Sequence, residues 1–253
     1  MTSPDSFVET RTSREVGWVR EDLAELGLDP FWAELAPMAG AKGRGGVGRL
    51  QVGGVELVVR PYRRGGAMAR LLGDRYASPA RALAELEVLC ALRQQGVAAV
   101  APVAAVARRH GAVWRLRLCT ELLQGGRPLP QFMADFPGAR RASVERVAGV
   151  VRGAFDAGLR HPDLHVDNIL CSQASGEVQA TLVDLDRSRL APPLSDRSRD
   201  EMLARMQRYI RKHRASLPAA PTRAETMRFL RGLGFDRRAR QRLWRRLSAS
   251  RRR

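Results

Sequence analysis

Apolar side chains recur with two different periods, and the change of period divides the chain. Between residues 48 and 123, short apolar runs separated by turn residues predict β-strands. Leu50–Val52 and Val55–Arg60 flank Gly53-Gly54, a dipeptide typical of a tight hairpin turn. After residue 129, apolar residues mostly return at helical spacing. The pattern predicts an α+β fold, rich in strands in its first half and helical in its second.

The helical periods are clearest in two segments. Pro79–Gln95 carries leucines at three-residue steps, and Val144–Leu159 repeats valine and phenylalanine along one face. Strands are predicted over Val100–Val106 and Trp114–Leu123, with a turn at Arg108–Gly111. Three more helices are predicted over Asp200–Arg214, Thr222–Leu233 and Arg237–Leu247.

The first 40 residues are predicted to form a helical extension. Glu15–Leu26 has the composition of a helix, and Gly27-Leu28-Asp29-Pro30 would end it. The opening sixteen residues include acids and no apolar core segment, so no secretory signal peptide is expected.

The strongest chemical signal is the stretch HPDLHVDNIL at residues 161–170. His161, Asp163 and Asn168 have the H-x-D-x-x-x-x-N spacing of a phosphotransferase catalytic loop. In such a loop the acid reaches the acceptor hydroxyl while the Asn, at the far end, binds the metal on the nucleotide phosphates. The alternative is that Asp163 and Asp167 only cap a turn.

A second acid follows at the expected distance. Leu182-Val183-Asp184 is an apolar strand that ends in a carboxylate, 21 positions after Asp163. Two short strands joined by a turn at Gln173–Glu177 fit this gap, so Asp163, Asn168 and Asp184 are predicted to converge. Asp163 is the candidate catalytic base, and Asn168 and Asp184 are the candidate metal ligands.

Nucleotide-binding candidates precede this loop in the sequence. The glycine-rich segment with Gly43, Gly45 and Gly46 opens into the predicted hairpin, where its backbone amides could approach phosphates. Taken alone, this segment fits a flexible surface turn equally well, and the HPDLHVDNIL stretch favours the phosphate-binding role. Arg60 ends the second hairpin strand, where protein kinases carry a Lys, and Glu85 on the Pro79–Gln95 helix is its candidate partner.

Some assignments at this end stay open. Arg63 and Arg64 compete with Arg60, and Glu85 could be a solvated helix residue. Arg also presents a planar fork rather than the point charge of Lys. In a two-lobed kinase the hinge would fall at Glu121–Leu123, whose backbone would contact adenine.

Composition narrows the remaining possibilities. The chain has 253 residues, 44% of them hydrophobic, enough for a packed core. Of its net charge of +18, Arg197–Arg253 contributes +15, from 19 basic residues against four acids. No apolar run approaches the roughly 20 residues that span a bilayer. We therefore expect a soluble, cytosolic protein whose membrane contact, if any, is peripheral. The three cysteines, Cys90, Cys119 and Cys171, are predicted to be buried thiols.

Five segments together resemble the lipopolysaccharide kinase family, in particular its 3-deoxy-D-manno-octulosonic acid (Kdo) kinase branch. They are VVRPYRRGGAMARLLGDRY at 58–76, RALAELEVLCALRQQGV at 81–97, TELLQGGRPL at 120–129, HPDLHVDNIL at 161–170 and LVDLDRSRL at 182–190. The resemblance covers about residues 41–215. The RPYRRGG block and the D-L-D ending are not general kinase features.

The resemblance implies a two-lobed protein-kinase-like fold that uses ATP and Mg²⁺ to phosphorylate a Kdo hydroxyl on a lipid A precursor, at the cytoplasmic face of the inner membrane. A β-rich N-lobe would cover residues 41–123, after the extension at 1–40. A helical C-lobe at 124–253 would end in the Arg-rich segment, which would contact anionic membrane. The same resemblance makes Arg60 a normal residue for this family.

Other functions remain possible from the sequence alone. Aminoglycoside and choline kinases share the H-x-D-x-x-x-x-N spacing, although the RPYRRGG block argues against them. A non-catalytic pseudokinase is disfavoured because all three loop and metal residues are present. Nucleic-acid binding would use the basic segment, but that segment has few aromatic side chains for stacking, and no nucleic acid is expected. The sequence does not indicate the oligomeric state.

Overall fold

The structure is a computed structural model that describes residues 6–38, 46–63 and 73–249, with side chains described as far as residue 246. It divides into two compact units. One contains the described residues up to Ala91 together with Val100–Leu122. The other contains Leu92–Ala99 and the described residues from Leu123 onward.

The first unit is built on a seven-stranded sheet in the order β1-β2-β6-β7-β5-β4-β3, and each neighbouring pair is antiparallel. β4 and β5 join at Gly53-Gly54, where φ is +56° and +82°, so the predicted tight turn is present. A buried cluster that includes Phe31, Leu57 and Val106 covers the sheet. The strands are β1 Phe7–Arg11, β2 Glu15–Arg20, β3 Ala36–Pro37, β4 Gly48–Val52, β5 Val55–Pro61, β6 Pro102–His110 and β7 Val113–Glu121.

The predicted helix over Glu15–Leu26 is wrong, and the described part of the predicted helical extension, residues 6–38, forms strands and two short 3₁₀ helices. Glu15–Arg20 is strand β2, paired with β1 and β6, and only Glu21–Leu26 forms a short 3₁₀ helix. Val16 and Val19 are β-branched and buried, and Gly17 lets Leu28 approach the strand closely. These residues complete the sheet rather than pack beside it.

Two other elements of this unit follow the sequence more closely. Helix α1 spans Ala80–Gln94, close to its predicted bounds. Strand β6 continues to His110 instead of turning at Arg108, because Arg108 pairs in the ladder with Glu15 on β2 and Arg115 on β7. Its side chain also forms ion pairs with Glu15 and Asp29. The turn falls at Gly111, where φ is +61°.

The second unit is mainly helical and carries a small three-stranded sheet in the order β11-β10-β8. Helices α3 and α5 pack together, and Arg140 on α3 forms an ion pair of 2.8 Å with Glu225 on α5. The helices are α2 Leu129–Asp135, α3 Arg140–Asp156, α4 Asp196–His213, α5 Arg223–Gly232 and α6 Arg237–Ala249. The strands are β8 Arg127–Pro128, β9 Leu159–Arg160, β10 Ile169–Ala174, β11 Glu177–Leu182 and β12 Arg189–Leu190.

All three cysteines are free thiols, and two of them are buried as the sequence predicted. Cys119 and Cys171 are buried, Cys90 is half-buried, and all three are free. Burial raises the pKa of both the Cys119 and Cys171 thiols to about 12, so neither is a reactive thiolate at neutral pH. Among the described helices, none is both long and apolar enough to cross a bilayer.

Candidate active site

The candidate catalytic loop, residues 161–168, lies in the second unit between β9 and β10. It ends in a 3₁₀ turn, Val166–Asn168, that leads directly into the apolar strand β10. Leu164 and Val166 are buried, so alternate loop residues are anchored in the interior. Asp163 lies between His161 and the buried Leu164, and its side chain remains 70% exposed.

Hydrogen bonds fix the backbone of Asp163 from both sides. Its N–H donates to Nδ1 of the buried His161 at 3.2 Å. Its carbonyl oxygen accepts from Nδ2 of Asn168 at 2.9 Å. The side chain is thus left accessible while the main chain is held, which is what a general base needs in order to reach a substrate proton.

Asn168 connects the loop to the strand that delivers Asp184. The register of β10 with β11 pairs Ile169 with Leu182, and the Val183 N–H donates to the Asn168 carbonyl at 3.0 Å. Asp184 follows at once, with a φ of +56°. A left-handed backbone is uncommon for non-glycine residues, but Asp tolerates it, and such conformations concentrate at functional sites.

Burial and nearby carboxylates act in opposite directions on the pKa values of the two loop histidines. Burial lowers the pKa of His161 to about 4, and the carboxylates of Asp184 and Asp163 oppose that shift. Burial also lowers the pKa of His165, against the carboxylates of Asp163, Asp167 and Asp184. The same two carboxylates, Asp163 and Asp184, thus act on both imidazoles, and their convergence on one metal site stays a prediction.

The donor set fits Mg²⁺. Asn168 commits its amide nitrogen to Asp163, which leaves the amide oxygen as its metal-binding atom, and Asp184 supplies a carboxylate. Hard oxygen ligands suit Mg²⁺, which is commonly bound through one or two carboxylates together with substrate phosphates. The roles of Asn168 and Asp184 as metal ligands stay predictions.

In the first unit, the predicted pairing of Arg60 with Glu85 is present. Nη2 of Arg60 contacts both carboxylate oxygens of Glu85, which is buried on α1. The buried Tyr62 donates its hydroxyl to the same carboxylate at 2.6 Å, and its ring lies 4.8 Å from the Arg60 guanidinium carbon. Glu85 is therefore not a solvated helix residue. Whether Arg60 binds phosphate is a separate prediction.

The remaining predicted nucleotide-binding residues are less completely described. Gly43 and Gly45 lie outside the described residues, and Gly46 has a φ of +64°. The amide of Glu121 donates to Ala101 at 2.8 Å, so this N–H is engaged in the first unit. The carbonyl of Leu123 accepts from Gly126 at 3.0 Å in the second unit.

Sequence reasoning missed a group that borders the loop. Tyr209 on α4 donates its hydroxyl to Asp167 at 2.5 Å and stacks on His165. The available signal was a tyrosine on the apolar face of an amphipathic helix, since a buried Tyr hydroxyl usually finds a hydrogen-bond partner.

Comparisons with known proteins show that most of this chain is similar to one family of kinases. A model of the lipopolysaccharide kinase (Kdo/WaaP) family matches residues 29–232. The chain is 31% identical over 193 residues to a 3-deoxy-D-manno-octulosonic acid kinase of Xylella fastidiosa, covering 75% of both chains. It is 28% identical over 220 residues to such a kinase of Vibrio vulnificus, covering 85% of this chain and 90% of the relative.

A solved structure titled "WaaP in complex with acyl carrier protein" has a similar fold. Its TM-score is 0.63 at 24% identity, with 92% of this chain and 97% of that chain covered. The likeness supports the protein-kinase-like α+β fold predicted from the sequence.

Proposed function

Because the chain belongs to the lipopolysaccharide kinase (Kdo/WaaP) family, we propose that it transfers the γ-phosphoryl group of ATP to a hydroxyl of Kdo on a lipid A-type glycolipid. The observation that supports this most directly is the hydrogen bond that the side-chain amide of Asn168 donates to the Asp163 carbonyl oxygen. That bond brings the candidate base and a candidate metal ligand together in one short loop.

Each loop residue has a defined task in this reaction. The acceptor oxygen attacks the γ-phosphorus, the bond to the β–γ bridging oxygen breaks, and ADP leaves. The exposed carboxylate of Asp163 orients the acceptor hydroxyl and takes its proton. His161 and Asn168 keep the Asp163 backbone in place during the transfer.

The metal would be held by the Asn168 amide oxygen and the Asp184 carboxylate. When bound there, Mg²⁺ would neutralise charge on the phosphates. Arg60, oriented by Glu85 and Tyr62, would bind phosphate oxygens through its planar fork. The backbone of Gly43, Gly45 and Gly46 would approach the phosphates. Backbone groups of Glu121 and Leu123 other than the Glu121 N–H and the Leu123 carbonyl would contact adenine.

Acceptor choice is tested by ATP consumption with Kdo–lipid A precursor, an aminoglycoside, choline and a protein mixture. We expect turnover with the Kdo acceptor alone. Asp163→Asn, purified in parallel, controls for contaminating kinases. Turnover that prefers choline or the aminoglycoside would contradict the proposed acceptor while keeping the phosphotransferase chemistry.

The lipid-linked acceptor also requires access to a membrane, and we propose peripheral attachment to anionic lipid at the cytoplasmic face of the inner membrane. The basic segment Arg197–Arg253 carries a net +15. Basic residues near an anionic surface contribute on the order of 1 kcal/mol each, and the attraction falls off within a Debye length. On α6, Arg238, Arg242 and Arg245 are exposed and suited to such contact.

Liposome co-sedimentation tests the attachment. Replacing Arg238, Arg242 and Arg245 with Gln should weaken binding to anionic vesicles roughly tenfold or more at low salt. The matched control replaces the exposed Arg14, Arg49 and Arg109 of the first unit, which removes the same charge. Equal losses in both triple variants, or equal binding to neutral vesicles, would contradict a specific membrane-facing segment.

A further inference from the structure

Helix α4 reaches the catalytic loop through one aromatic side chain. The Tyr209 ring stacks on His165 with centroids 4.0 Å apart and planes 10° from parallel. Its hydroxyl donates to Oδ2 of Asp167 at 2.5 Å. His213, one turn further along α4, lies 4.4 Å from the Tyr209 ring. Tyr209 therefore holds two loop residues that flank the buried Val166.

His165, which stacks on Tyr209, also lies next to the candidate base Asp163. Its Nε2 lies 3.6 Å from Oδ2 of Asp163, and its own carbonyl accepts from the Asn168 N–H at 3.1 Å. The His165 side chain is only 13% exposed, whereas that of Asp163 is 70% exposed. The nearly buried His165 imidazole thus packs beside the Asp163 carboxylate, which otherwise faces solvent.

The same face of α4 supports the rest of the loop. The sulfur of Met202 accepts from the His161 N–H at 3.3 Å. Met206, one turn later, lines an apolar cavity together with Val166. Tyr209 completes the series at positions i, i+4 and i+7, which share one side of a helix. Of the three, Tyr209 contacts the residue that faces the Asp163 carboxylate.

We propose that Tyr209 is a positioning residue for the catalytic base Asp163, acting through His165. The inference rests on the proposed kinase function of this site and adds a role for the C-terminal helices beyond membrane contact. Losing the aromatic ring would let His165 change rotamer and would widen the orientations open to the Asp163 carboxylate. Small displacements of a catalytic group can cost up to about a hundredfold in rate.

Steady-state kinetics with the Kdo acceptor test the role. Tyr209→Leu should lower kcat about 10- to 100-fold with the KM for ATP changed less than about threefold. Tyr209→Phe keeps the stacking and should retain at least about a third of kcat. The matched control is Glu201→Gln, on an exposed part of the same helix where its side chain pairs with Arg197, with kinetics unchanged. A kcat of Tyr209→Leu within about twofold of wild type, per folded molecule, would overturn the proposal.

A double-mutant cycle separates positioning from general destabilisation. If Tyr209 acts through His165, Tyr209→Leu combined with His165→Leu should be no slower than the slower single variant. Multiplicative losses would overturn the relay through His165.

Hydrogen exchange supplies a readout that needs no substrate. Tyr209→Leu should speed exchange in the loop at residues 161–170 and leave the β4–β5 hairpin unchanged. If the wild type fails to phosphorylate the Kdo acceptor, the proposed function falls, while the exchange comparison still decides whether Tyr209 holds the loop. Unchanged loop exchange would overturn the inference.

Discussion

Two carboxylates of this chain are both expected to serve phosphoryl transfer, yet their surroundings are opposite. The Glu85 side chain is 1% exposed and receives bonds from Arg60 and Tyr62. The Asp163 side chain is 70% exposed, and the structure holds its backbone instead. One carboxylate is fixed through its oxygens, and the other is fixed so that its oxygens stay accessible.

The difference follows from the cost of burying charge. A buried carboxylate must be paired and hydrogen-bonded, so Glu85 is tied into the sheet-bearing unit and orients Arg60. A general base must exchange protons with substrate, so its oxygens cannot be committed to strong permanent partners. Changes at Glu85 or Arg60 should therefore affect stability as well as activity, whereas changes at Asp163 should affect activity alone.

The largest expected effect is the loss of turnover in Asp163→Asn. The amide keeps the shape and the backbone bonds but cannot accept the proton, and general base catalysis contributes roughly 10²- to 10⁴-fold. Thermal unfolding should shift little because the side chain is exposed. Turnover near the wild-type rate in the folded variant would contradict the assignment.

Arg60→Ala, unlike Asp163→Asn, should lower the stability of the protein as well as its activity. Removing one partner of a buried ion pair costs roughly 3–5 kcal/mol, since Glu85 is left uncompensated. Arg60→Lys should be partly active, and Arg60→Ala with Glu85→Ala should be no less active than the worse single variant. Urea unfolding and kinase assays measure both effects.

The control for that pair is Arg115→Ala in the same sheet. Its ion pair with Asp74 is exposed, with side chains 49% and 38% accessible, so its loss should cost about 1 kcal/mol or less. Equal destabilisation by Arg60→Ala and Arg115→Ala would show that burial of Glu85 does not set the cost.

Within the second unit, the two candidate metal ligands should differ in strength. Asp184→Ala should weaken Mg²⁺-dependent ATP binding about a hundredfold and Asn168→Ala by about tenfold, because only the acid brings full charge to the metal. Titration of ATP with and without Mg²⁺ measures the difference. Equal affinities in the two variants would count against these roles.

Several of the structural features compared here could be predicted from the local sequence pattern. The Gly53-Gly54 turn, helix α1 and the acid after β11 follow from residue type and period, which neighbours in sequence determine. The Arg60–Glu85 pair follows from one strand end and one helix position, as the kinase pattern suggested. The hairpin of β10 and β11 between Asp163 and Asp184 was also predicted from the spacing of these residues.

Contacts between distant elements were not accessible in this way. Glu15–Arg20 has a helix-compatible composition, and only pairing with β1 and β6 makes it a strand. Tyr209 lies 42 positions from Asp167. Periodicity placed it on the apolar face of α4 but could not identify the loop that this face covers.

The smallest expected effect concerns His161, which links the stability of the loop to pH. Burial lowers its pKa from 6.5 to about 4, so below pH 6.5 the unfolded chain takes up a proton that the folded chain refuses. Because the unfolded state then binds more protons, stability falls as the pH drops from about 6.5 to 4 and is retained above 6.5. His161 alone should lower the free energy of unfolding by roughly 2 kcal/mol between pH 7 and pH 5. Urea unfolding of the wild type at both pH values, beside His161→Gln, measures it: the variant should lose less stability than the wild type, and identical losses would show that His161 is protonated in the folded loop.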